Sequence, residues 1–540
     1  MKLIKKIAAI MFAFIMVFSL STNVKAESGS QEAKTKGKIT ISNAIEGQEY
    51  KIYKIFDLES YSYNAEPKDG AYSYKITEQW KKFFSDEPGK DYATFDNETE
   101  YVTWKGENTD ARAAELAKAA IAYAKDTTNS VTAVNVDQAN ISKTPNTNGT
   151  VTLTYSNLDL GYYLVDSSVG ALCGLTTTAN EATINEKNEK PTLNKYVNTY
   201  DAKHPNLADK NSLEKNTTNE IGDIVWFTAE IDNFKGAEQL VFTDIMDSGL
   251  SLNGILGDQV IVQVSLVKRN VTENVTNADV ENLRLNTHYT TVPSNEDGKD
   301  KFTLEFTPEG YKQLEQYYEN YVLRISYSAT VNKSALINNE NTATLKYGNS
   351  PSVLTSNAYV GVLSIPVLKT KTDNTKLKGA EFSLYKTLDD ANNGVNAIAF
   401  KQDDVLKETY RKALVDETGT VNIITTNDTG KFEFYGLKEG DYYLKEVKAP
   451  EGYNKLKDPI KVTVNKKVED GTNKINGYSL YYTYGKNSGD GATEVQVINE
   501  TGSLLPSTGG MGTTLIYLIG AALVLGSGIV LANKKRAKAK

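Results

Sequence analysis

The chain has 540 residues, 40% of them hydrophobic and 24% charged, a formal net charge of -8, two histidines and one cysteine. Such a length can bury several cores and suggests about three domains, and the acidic balance argues against nucleic acid as a partner. Cys173 alone excludes an internal disulfide, and with only His204 and His288 beside it there is almost no material for a zinc site or a His-dependent nucleophile, so no metal or cofactor is expected.

In chain order, the first element is MKLIKKIAAIMFAFIMVFSLSTNVKA, a basic segment, an apolar run and the small-x-small pattern Val24-Lys25-Ala26. It reads as a secretory signal, residues 1–26, removed after Ala26. Runs rich in Val, Ile, Thr and Tyr follow: KITISN, QEYKIYKIF, TVTLTYSNL and GYYLVDS, then DIVWFTAEI, KFTLEFT and YVLRISYSATV, then FEFYGL, DYYLKEV and EVQVIN. Asn, Asp, Gly and Ser clusters separate them, so they predict short strands and a mainly β fold of tandem immunoglobulin-like sandwiches. One helical insertion is predicted in the first domain, beginning near Thr109 and running through the alanine-rich ARAAELAKAAIAYAK. The many Asp and Glu residues are scattered as on a solvated face and do not argue for a glycosidase pair.

There is an internal echo. GQEYKIYKIF, Gly47 to Phe56, is matched by GAEFSLYK, Gly379 to Lys386, and LGYYLVDS, Leu160 to Ser167, by GDYYLKEV, Gly440 to Val447. The first and last domains therefore look like copies of one sandwich. Proline-bearing joints near KNEKPT and YVGVLSIP divide the chain into domains expected at 30–188, 189–361 and 362–502. After the last of these, Thr513 to Ala532 is long and apolar enough to span a bilayer, and the basic NKKRAKAK behind it should stay in the cytoplasm. Everything between Glu27 and that span is expected outside the cell.

One stretch conflicts with simple burial rules. In VLKTKTDNTKL, Val367 to Leu377, the alternation that buries Ile365 and Val367 also turns Lys369 and Lys371 inward, where an unpaired lysine is costly. A buried lysine has a use if it reacts. Burial lowers a lysine pKa and raises that of a carboxylic acid, so an apolar core can hold a neutral amine beside a protonated acid and an amide.

The motifs that bracket this lysine carry a family resemblance. Leu505, Pro506, Ser507, Thr508 and Gly509 form LPSTG directly before the membrane span and basic tail. That three-part arrangement, residues 505–540, resembles the cell-wall sorting signal of Gram-positive surface proteins, which implies sortase cleavage between Thr508 and Gly509 and transfer of the threonyl carbonyl to an amine. LKGAEFSLYK, YYLKEVKAPEGYN and VQVINETGSLLPSTG resemble the CnaB-type domain that closes many Gram-positive pilins. The resemblance implies an isopeptide bond between Lys369, or alternatively Lys371, and Asn499, with Glu446 of LKEVKAPEGY as the acid. The middle domain is similar to the CnaA-type domain. There KPTLNKYV offers Lys195, NTATLKYGN offers Asn341, and the acid is Asp244, with Glu230 of WFTAEI as the alternative. The first domain has Asp166 where Glu446 stands in the echo and completes no such set.

Resemblance to sortase-assembled backbone pilins further implies an acceptor amine between the first two domains. ATINEKNEKPTLNK puts Lys187 there, with Lys190 as alternative. The expected protein is thus a structural shaft subunit of a cell-wall-anchored extracellular pilus that supports adhesion and colonisation. Its partners would be further copies of itself, pilus and housekeeping sortases, minor pilins, peptidoglycan and host surface ligands. The alternatives are a wall-anchored adhesin or minor tip or base pilin, which needs no acceptor lysine, and an enzyme, for which no His or Cys constellation exists.

Overall fold

The computed structural model describes residues 36–62, 71–147, 149–166, 171–175, 180–186, 189–198, 213–235, 239–269, 271, 275–348, 353–503 and 511–538. The fold is mainly β, a tandem of sandwich-type sheets. It divides into two compact units: one extends to Leu363 and takes in Gly436–Lys438 and Lys466–Gly477, and the other holds Ser364–Tyr435, Glu439–Asn465 and the chain from Tyr478 onward.

In the first unit, Lys36–Ile45 lies between a parallel neighbour, Glu181–Asn185, and an antiparallel one, Thr150–Asp159, with Ile141–Pro145 at the edge. A second sheet runs Ala71–Ile76, Lys51–Ser62, Gly161–Asp166, Ala171–Leu175. The period-2 pattern explains the packing: Ile39 and Ile41 are fully buried while the alternate positions Lys38 and Thr40 are not. Ile52, Leu153, Tyr163 and Val165 complete that core.

The predicted helix is Asp110–Lys125, and it buries Leu116, Ala117 and Ala120 against Trp80, Phe83 and Phe84. Thr109 caps it by accepting from the Arg112 backbone N–H at 3.3 Å, with Asp110 in the first turn and Lys125 in the last matching the helix dipole. Thr109→Ala is expected to lower the stability of this sandwich by about 1 kcal/mol. Urea unfolding followed by tryptophan fluorescence reads the difference, and an unmoved midpoint would show that the cap contributes nothing.

The same unit contains two larger sheets. One runs Leu213–Glu214, Thr192–Asn198, Ile224–Asp232, Tyr321–Val331, Gln263–Lys268, Val280–Asn282. The other runs Asn216–Thr218, Val353–Gly361, Asn339–Lys346, Val241–Met246, Lys299–Phe306, Tyr289–Glu296. A helix that the strand-dominated sequence pattern did not single out, Pro308–Tyr317, opens on Pro308 and is capped by Thr307.

In the second unit Leu363–Lys371 and Val495–Asn499, strands from opposite ends of that unit's sandwich, run side by side in parallel, with Lys369 opposite Val497 and Lys371 opposite Asn499. Beyond them lie Lys431–Leu437, Thr409–Lys412 and Phe400–Gln402. The facing sheet is built around Glu381–Tyr385 and Gly440–Lys448. The sequence echo has a structural counterpart. In one copy Lys51–Ser62 pairs antiparallel with Gly161–Asp166, and in the other Glu381–Tyr385 pairs antiparallel with Gly440–Lys448.

Candidate functional site

In the second unit the row Ile365, Val367, Lys369 is buried, and Lys369 is fully so. Its ammonium donates to the Val497 carbonyl at 3.1 Å and stands 3.7 Å from Glu446 Oε1. Glu446 arrives on the inward row Tyr442, Leu444, Glu446 of its strand. Its Oε2 accepts from the Asn499 side-chain amide at 3.0 Å and from the Leu456 backbone N–H at 2.8 Å. The Asn499 amide also donates to the Asn454 carbonyl at 2.5 Å. Two buried acceptors, Glu446 Oε1 and Asn499 Oδ1, make no hydrogen bond. Burial pushes the Lys369 pKa down to about 8, against the pull of Glu446. Lys371 stands apart from this group: its side chain is 34% exposed and pairs with Asp373 at 3.1 Å.

In the first unit, Lys195, Asp244 and Asn341 are all fully buried. Lys195 sits on Thr192–Asn198, held by a 2.9 Å bond from its backbone N–H to Ser356 Oγ. Its ammonium donates to Asp244 Oδ2 and to the Tyr327 hydroxyl, and Tyr327 donates to the same Asp244 oxygen. The Phe227 and Tyr327 rings flank the amine, with centroids 5.1 and 4.8 Å away. Burial lowers the Lys195 pKa to about 8, although Asp244 opposes it, and burial raises the Asp244 pKa, against the pull of Lys195. The Asn341 amide borders Asp244 and Tyr327, yet neither of its polar atoms makes a hydrogen bond. Glu230 projects from the opposite face of its strand, opposite Asn194, and pairs with buried Arg324 at 3.1 Å. Asp244, and not Glu230, is therefore the acid beside Lys195.

Both places bring an amine, a carboxyl and a primary amide together away from water. In each the amide oxygen is buried without a hydrogen bond, which is expensive in a finished core. In a core that goes on to react, the amide is a substrate: a neutral amine can attack the amide carbonyl while the acid moves the proton to departing ammonia.

Other expected residues fall elsewhere. Asp166 is nearly buried and pairs at 3.1 Å with Lys125 of the helix. Burial raises the Asp166 pKa, with Lys125 opposing. Lys190 is exposed. Lys187, the LPSTG residues Leu505 to Gly509, the signal segment and His204 lie outside the described residues. The C-terminal helix Met511–Ala537 is long enough to cross a membrane and carries, within Thr514–Ala537, an apolar 18-residue stretch of mean hydropathy 2.4.

Two residues escaped the sequence reading. Tyr327 looked like one aromatic among many in YVLRISYSATV, and only its cross-strand position opposite Phe227 brings its hydroxyl to Lys195. Lys215 donates to the Lys195 backbone carbonyl at 2.7 Å, over the Tyr196 ring at 4.5 Å. Its own pKa is lowered by burial, and its nearby charge further disfavours the protonated form of Lys195.

Residues 364–478 match the SpaA prealbumin-like fold domain. The chain is 27% identical over 298 residues to a type 1 fimbrial subunit of Actinomyces viscosus, covering 47% of this chain and 51% of that protein. It is 24% identical over 311 residues to the trypsin-resistant surface T6 protein of Streptococcus pyogenes serotype M6, covering 44% and 51%. The chain thus spans about half the length of the curated relatives it matches. A solved structure, the T6 backbone pilin of Streptococcus pyogenes serotype M6, aligns over 88% of this chain and 100% of its own, with 16% identity and a TM-score of 0.46. The SpaA domain match and the fimbrial-subunit relative agree with the resemblance to pilins drawn from the motifs.

Proposed function

We propose that this chain, which carries a prealbumin-like SpaA domain and resembles fimbrial subunits, is the shaft-forming subunit of a covalent surface pilus. It is organised as domains 30–188, 189–361 and 362–502. A sortase cleaves LPSTG between Thr508 and Gly509 and joins the Thr508 carbonyl to Lys187 of the next subunit, with Lys190 the alternative acceptor. An acceptor and a donor on one subunit make a heterologous contact that does not close, and repetition of such a contact gives a filament. The last subunit is joined to peptidoglycan, and minor pilins decorate the fibre. The C-terminal apolar helix holds the precursor at the membrane until cleavage.

Within each subunit, Lys369 is joined to Asn499 beside Glu446, and Lys195 to Asn341 beside Asp244. The single observation that carries this proposal is the pair of buried amine, acid and amide sets, each with an amide oxygen that no hydrogen bond satisfies. Holding amine and carbonyl in place of a collision is worth about 7 to 11 kcal/mol of barrier, so no cofactor is needed. Each bond forms once per molecule, which makes the protein a substrate and a structural element, not a turnover enzyme.

Intact mass spectrometry of the recombinant ectodomain tests this. The expected mass is below the sequence mass by two ammonias, with crosslinked peptides joining Lys369 to Asn499 and Lys195 to Asn341. A mass equal to that of the unmodified sequence would overturn both bonds.

A further inference from the structure

The two buried sites differ in one respect. In both units the acid faces the lysine directly, but in the first a phenol also joins the pair, with its hydroxyl on the amine and on the acid together. Tyr327 is 1% exposed, and its ring is fixed on two sides, stacked on Phe227 at 5.9 Å and edge-on to Phe302 at 4.9 Å. Its hydroxyl accepts from the Lys195 amine and donates to Asp244 Oδ2. A phenol used only for packing would not need its oxygen on both the amine and the acid, and phenylalanine would fill the same space without a buried hydroxyl to satisfy. Asp244 is one methylene shorter than the glutamate of the other site, and Tyr327 gives the amine a second proton acceptor beside that shorter acid.

Resting on the crosslink assignment above, we propose that Tyr327 is a catalytic residue of the bond between Lys195 and Asn341, its hydroxyl passing a proton from the amine to Asp244. The lone pair of Lys195 Nζ forms the new bond to the Asn341 side-chain carbonyl carbon. The bond from that carbon to the amide nitrogen breaks, and its electron pair leaves with nitrogen. The proton shed by the amine goes to the Tyr327 oxygen as Tyr327 hands its own to Asp244, and the carboxyl supplies the proton that lets nitrogen depart as ammonia. One amine and one primary amide become one secondary amide and ammonia, with Tyr327 and Asp244 restored and no oxidant or other reactant consumed.

The test follows ammonia loss with time in freshly translated ectodomain, resolving the two bonds by peptide mapping. The bond between Lys369 and Asn499 serves as a control in the same molecule. Tyr327→Phe should slow formation of the Lys195 bond by on the order of 10²-fold while the control bond keeps its rate. A fluorotyrosine placed at 327 keeps the ring, the hydroxyl and the packing but makes the phenol more acidic. It should change the Lys195 rate severalfold, and it decides the matter if the phenylalanine variant does not fold. Unchanged rates for the Lys195 bond would overturn the role of Tyr327 while leaving the crosslink standing. Wild-type chain that never joins Lys195 to Asn341 would overturn the crosslink itself, and with it this role.

Discussion

Glu446→Ala is expected to shed one ammonia fewer than wild type, each mass being read against its own sequence mass, and to make the C-terminal sandwich unfold much more readily. Glu446 is the carboxyl 3.7 Å from the Lys369 amine, and it also accepts from the Asn499 amide. Without it nothing receives the amine proton or polarises the amide, so the bond does not form. Two losses of stability then combine. The chain between Lys369 and Asn499, nearly the whole domain, is no longer closed into a loop, which by analogy with a disulfide removes about 4 kcal/mol. Lys369 also remains fully buried without its acid, and stranding one member of a buried ion pair costs roughly 3 to 5 kcal/mol. The two need not add, because the variant can relax around the gap. Intact mass and thermal unfolding of the same sample check both parts. A variant that still sheds the full complement of ammonia would remove Glu446 from the chemistry.

Lys187→Ala is expected to abolish the covalent polymer altogether. In cells carrying the pilus sortase, wild-type chain should run after boiling in detergent as a ladder of multimers, and the variant as single subunits, still anchored to the wall through Thr508. The effect is all or none because a shaft subunit with a donor and no acceptor ends the chain. Lys190→Ala made in parallel should leave the ladder intact. A ladder that persists in Lys187→Ala and vanishes in Lys190→Ala transfers the role to Lys190. A ladder that survives both changes would favour the wall-anchored adhesin or minor pilin alternative. The mechanical consequence is the same whichever lysine serves: a fibre under shear fails at the rate its domains open, so covalent closure acts on kinetic stability. An amide, unlike a disulfide, does not yield to reductants, which fits the proposed extracellular role of a chain with one cysteine.

Much of this protein follows from local patterns. Period-2 alternation and turn residues mark the strands, and the run after Thr109 marks the helix Asp110–Lys125, because backbone geometry and side-chain spacing are properties of a few consecutive residues. The echoed phrases mark equivalent strand pairs for the same reason. What local pattern left open was which groups meet. Lys369 and Lys371 are two apart on one strand and share a side of its alternation, yet one ends in a dry core and the other reaches water and Asp373, since the strand runs out of the sandwich at Lys371. The motif position prefers Asp244 and leaves Glu230 as the alternative. The register opposite Thr192–Asn198 sends Glu230 to the far face and Arg324, while Asp244 comes to Lys195 from the facing sheet. Tyr327 had no signal at all, because a proton relay is a relation among strands brought together across the sequence, and only the packing of two sheets decides it.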